Sequence, residues 1–131
     1  MSAELIVASM LNVAGVTNLV GTKRALSQLP ANTKPPALVY QIVSQMPEPH
    51  LRLTEAQMAR TRIQINPLAL TIAEVKSIHA AVRTAMDFKH RQTIASKVVI
   101  SCRADMLGPI EKDDETGIWT QPQDFILLFY E

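Results

Sequence analysis

Arg60 and Arg62 stand two apart in the segment ARTRIQIN. In an extended strand that spacing puts both guanidinium groups on one face. Two arginines so placed can contact phosphates, pair with carboxylates at a subunit interface, or simply solvate a sheet. No aromatic residue lies beside them to stack a base, so a base-reading surface has no support. The other three roles stay open at this level.

The remaining reactive groups are sparse. His50, His79 and His90 form no metal-ligand spacing, and structural or surface roles are expected for all three. Cys102 is the single cysteine, so no intrachain disulfide framework exists. It shares a face with Val98 and Ile100 in an alternating segment, which predicts a buried structural thiol. Asp105, Glu111, Asp113, Asp114 and Glu115 do not follow the calcium-loop pattern. They predict a charged hairpin connection. A paired-carboxylate hydrolase would need two of them across a cleft. The phosphate-loop, HExxH and paired CxxC signatures are all missing. No catalytic residue, cofactor or metal is expected.

These groups need a scaffold, and the apolar pattern outlines one. Thr71 with Glu74 three residues on makes a helix start. Ile72, Val75, Ile78, Val82, Ala85 and Met86 then lay a stripe at helical spacing. This helix is expected to cover a sheet. A first helix runs from Ser2 to about Leu11, with a weak second one after the turn. Strands are expected at Ala37 to Gln45, at Ala59 to Asn66 and at Ser96 to Ala104. A last one begins near Ile118, breaks at Pro122 and resumes at Asp124. Pro47 and Pro67 should end their strands. Asp87 to Thr93, with Lys89, His90 and Arg91, is taken as the basic end of the central helix. The terminal run Phe125 to Tyr130 is apolar on both faces, so it belongs at the sheet centre or in an interface. The expected fold is α+β, one domain over 1–131. A single, mainly antiparallel four-stranded sheet carries two main helices on a face. There is room for a short extra strand around Lys23 to Leu26.

The chain has 131 residues, 47% of them hydrophobic and 19% charged, with net charge +1. The charged fraction is below the roughly 25% of ordinary soluble domains, which suggests surface covered by partners. The near-balance gives no overall drive toward nucleic acid or acidic membranes. Glu4 comes early, and no run of about eighteen apolar residues occurs, so a soluble cytoplasmic product is expected.

The pattern as a whole resembles the tail-completion, or tail-terminator, proteins of long-tailed bacteriophages and prophages. The resemblance rests on PPALVYQIVSQMPE, on ARTRIQINPLALTIAEVKSIHAAVRTAM and on the ending GIWTQPQDFILLFYE. It implies a structural protein without catalytic residues. Such proteins form a ring, commonly a hexamer, that caps the head-proximal end of the tail tube. The implied partners are further copies of the chain, the tail tube protein and a head-completion or connector protein. Genomic DNA would pass the channel without specific binding, and no membrane is involved. The implied place is the virion tail or neck, after assembly in the host cytoplasm. Arg60 and Arg62 become candidates for ring contacts or for the channel wall. The connection Pro47 to Gln57 and the segment Glu111 to Thr116 become candidates for contacts with neighbouring rings. Alternatives are another neck or head-completion protein, or a small ligand-binding domain. On this reading Ile78→Asp should unfold the subunit, whereas Arg62→Glu should spare folding.

Overall fold

The computed structural model describes residues 2–48, 58–87 and 89–130. The expected cap by the Ser2 side chain and the polar connection carrying His50 lie outside the described residues. In chain order come α1 (Ser2–Leu11), α2 (Ala14–Val20), β1 (Arg24–Leu26), β2 (Ala37–Glu48), β3 (Met58–Ala69) and α3 (Ile72–Met86). They are followed by β4 (Lys89–Ile94), β5 (Lys97–Leu107), β6 (Glu111–Lys112), β7 (Trp119–Thr120) and β8 (Gln123–Tyr130).

The strands form one eight-stranded sheet with the main order β1-β2-β3-β8-β5-β4. β7 extends β8 along β3, and β6 pairs with β7. β1 runs parallel to β2, and the other pairings are antiparallel. The expected four-stranded, mainly antiparallel sheet with two helices is therefore wrong: among the described residues the sheet is mixed, with eight strands, and there are three helices. The largest omission is β4. Its sequence KHRQTI has a single apolar residue and four exposed positions, because an edge strand facing water shows no alternation to detect. Ala95 and Ser96 join it to β5 with φ of 51° and 66°. That is a two-residue hairpin turn without the glycine or asparagine that usually announces one.

Two prolines were also expected to stop strands, and neither does. Pro47 lies inside β2, opposite Ala59. β1 covers only Leu38 to Tyr40 of the other edge, so the missing N–H of Pro47 breaks no ladder on that side. Pro67 lies inside β3. Its partner Leu38 donates its own N–H to Lys23 in the opposite direction. The nitrogen of Pro67 thus points at the gap between β7 and β8, where β3 has no partner between Ile65 and Leu68.

The helices cover one face of the sheet. Thr71 caps α3, its hydroxyl accepting from the Glu74 N–H at 3.2 Å. Val75, Ile78, Val82, Ala85 and Met86 pack into one core with Ile63, Ile65, Phe125, Leu127 and Phe129. α1 and α2 meet at 82° and bury Ile6, Val7, Leu11, Val16 and Val20 in the same core. Arg24 holds that bend, donating to the carbonyls of Leu11 and Gly21 at 3.0 Å each. A cation there satisfies carbonyls left open at the helix ends. Among the described residues no single helix is long and apolar enough to cross a membrane.

Candidate functional site

Strand β3 alternates strictly between buried and half-exposed positions from Met58 to Ala69. Its odd residues enter the core. Its even residues, Arg60 and Arg62 among them, form the face that none of the described helices covers. Both arginines therefore share a face, as their spacing requires, but they differ in surroundings.

Arg62 sits opposite Ser44 on β2 and Ile126 on β8, and Ile126 is in turn opposite Arg103 on β5. Its Nη1 donates to Asp105 Oδ2 at 2.7 Å and to Asp124 Oδ2 at 3.0 Å. The side chains keep 34%, 39% and 16% exposure respectively, so each pair alone contributes little. Together they tie β3, β8 and β5 at one register. The hydrogen bonds to Asp105 and then Asp124 raise the guanidinium pKa further. One guanidinium facing two carboxylates leaves no net positive charge for a phosphate. Arg62 is an intrachain clasp. Asp105, expected in a charged hairpin connection, lies instead in β5 and pairs with this cation. Nothing in the sequence pairs it with Arg62, 43 positions away, because strand order is a tertiary fact. Beside the clasp, Gln64 Oε1 accepts from Gln41 at 3.0 Å and from Asn66 at 3.1 Å.

Arg60 lies one row further along, between Met46 on β2 and Leu128 on β8. The next row pairs Met58 with Tyr130. Val98, at the start of β5, is 43% exposed, and Met46 is 57% exposed. Among the described residues no ion pair holds Arg60. Its two strand neighbours on this face, Met46 and Leu128, are apolar.

The other candidates separate. Cys102 is fully buried, and burial pushes its thiol up to about 12, which removes the thiolate a nucleophile needs. His90 is exposed on β4, whereas His79 is on α3. His79 is buried, and its Nε2–H donates to the Gln121 carbonyl at 2.8 Å. Burial lowers its pKa. Gln121 fills the gap between β7 and β8. Its side chain accepts from Lys76 Nζ and donates to the Gly108 carbonyl, both at 2.8 Å. The Gly108 N–H donates to the Pro122 carbonyl at 2.8 Å. A Cβ on Gly108 would lie 2.7 Å from Pro122 Cγ, so only glycine allows this approach. This buried latch escaped sequence reasoning; an out-of-place Gln-Pro inside a terminal strand is the signal that marks it. The acids Asp113, Asp114 and Glu115 are exposed at the β6–β7 hairpin, where Asp113 Oδ1 accepts from the Glu115 N–H at 2.9 Å. Among the described residues no group of three His, Cys, Asp or Glu side chains could hold a metal ion. An open groove of about 410 Å³ beside α3 is lined by Val13, Gly15, Ala81, Thr84, Ala85 and Lys89. It offers no carboxylate or thiol for chemistry.

Residues 4–112 match the family model described as Tail completion protein gp17. No curated protein matches the sequence. Among solved structures, a chain of the virion of the native gene transfer agent (GTA) particle superposes with TM-score 0.69 at 15% identity, covering 98% of this chain and 97% of that one. At that identity the likeness is one of fold.

Proposed function

The chain belongs to the tail completion protein gp17 family, the structural proteins of phage tails, and from that premise we propose that it caps the head-proximal end of the tail tube as a ring. The family match over residues 4–112 carries this reading. The uncovered sheet face supports it physically, because it leaves exposed apolar side chains that a lone subunit would keep in water. A ring needs heterologous contacts that close by rotation, and a hexamer is the number the family resemblance suggests. One ring surface would match the last tube ring. The other would meet a head-completion or connector protein and would not seed another tube ring. DNA would pass the channel without specific binding, in keeping with a net charge of +1 and with the neutralised Arg62.

The test mixes purified subunit with tail tube protein, followed by light scattering after size-exclusion chromatography and by electron microscopy of tube ends. A discrete ring on one end of each tube, with shorter tubes as the ratio rises, is expected. A subunit that stays monomeric under all conditions and leaves tube length unchanged would overturn the reading.

A further inference from the structure

Opposite ends of β3 lie near charged side chains of opposite sign, Arg60 at one end and Asp114 with Glu115 at the other. At one end Arg60 stands between Met46 and Leu128, one row from Met58 and Tyr130. At the other, β7 pairs with Leu68 and Ala69 and holds the β6–β7 hairpin. Lys112 of that hairpin folds back over the Trp119 ring, 5.7 Å from its centroid. Asp113 is occupied in the turn. Asp114 and Glu115 are left exposed at the tip. Beside the hairpin, Leu70 is 55% and Ile72 44% exposed. Each end therefore offers apolar side chains with a charge, and the charges are of opposite sign.

We propose that the hairpin end of one subunit, with Asp114 and Glu115, docks on the Arg60 end of a second copy. The proposal rests on the ring reading and names the contact that closes it. A subunit cannot make the contact with itself: nine residues of extended β3 separate Arg60 from Ala69, about 30 Å at roughly 3.3 Å per residue. Patch against patch would set Arg60 against Arg60, which like-charge repulsion disfavours. Unlike ends meeting head to tail give the heterologous geometry that closes into rings. Apolar contact with Leu70 and Ile72 would lower the local dielectric around the Arg60–carboxylate pairs and strengthen them.

The experiment uses the full chain in three forms, Arg60→Glu, the double variant Asp114→Lys with Glu115→Lys, and all three changes together. Each is first shown by thermal melting to be folded. Arg60→Glu alone, and the hairpin variant alone, should each raise the concentration needed for assembly about tenfold or more. An equimolar mixture of the two should assemble, because each supplies the end the other needs. The triple variant should assemble by itself. If Arg60→Glu melts early, Arg60→Gln and the hairpin variant decide. Assembly of the single-end variants at the wild-type concentration, or failure of both the mixture and the triple variant, overturns the contact while leaving the ring intact. Wild-type chain that does not assemble, alone or with tube protein, overturns the ring reading and this contact with it.

Discussion

The two faces of β3 are built from the same twelve residues yet are held in different ways. Ala59, Ile63, Ile65 and Ala69 face the helices and are at most 1% exposed. Volume and water exclusion specify that side. Arg60, Arg62, Gln64 and Asn66 face outward, where polar partners hold Arg62, Gln64 and Asn66 but contribute little to stability. The difference teaches that one strand can anchor the fold with one face and leave the other free for partners. Its sharpest test is a charge on the packed side. Ile78→Asp should cost about 4 kcal/mol or more through unpaired burial, enough to unfold a domain of ordinary stability. Circular dichroism would show lost structure, and a folded, cooperative melt would break the comparison.

Paired truncations sharpen it next. Phe125 and Leu128 lie on opposite faces of β8. Phe125→Ala should cost about 3–5 kcal/mol, and Leu128→Ala about 1 kcal/mol, since it is only half-buried. Urea titrations of the isolated subunits would compare them, and equal losses would mean that the outer face is also core.

His79 gives a smaller effect with a defined sign. Burial lowers its pKa below the ordinary 6.5, and nearby Lys76 and Arg83 add to the shift. The unfolded imidazole therefore takes its proton first as pH falls. The stability that neutral His79 contributes is complete above 6.5 and is lost as pH falls below it toward the lower folded value. Melting temperature should drop as pH falls below about 6.5. His79→Gln, which keeps a donor for the Gln121 carbonyl, should flatten that slope. An unchanged slope would place the titration elsewhere.

Arg62 is the mildest case and corrects an expectation. A bare outward arginine would tolerate Glu, but here Arg62→Glu sets a third carboxylate beside Asp105 and Asp124. It should lower the melting temperature, more than Arg62→Gln does, and added salt should recover part of the loss by screening. Salt-independent melts for both variants would show that the clasp does not act electrostatically.

What the sequence determined by itself was local and periodic. The capped amphipathic α3, the alternation of β3, the two-faced terminal run and its break at Pro122 all follow from spacing that neighbouring residues impose. Cys102 is buried as expected but not by the expected alternation: a register shift between Val99 and Ser101 puts it on the face of Val99, while Val98 is exposed. Tertiary structure decided what spacing cannot encode. It placed β8 between β3 and β5, and so brought Asp105 and Asp124 onto Arg62 while leaving Arg60 among apolar side chains. It turned a basic segment into the edge strand β4, and it let Pro47 and Pro67 remain in strands because their missing N–H groups face unpaired edges. Strand order depends on contacts between residues far apart in the chain, and a polar edge carries no period to reveal it.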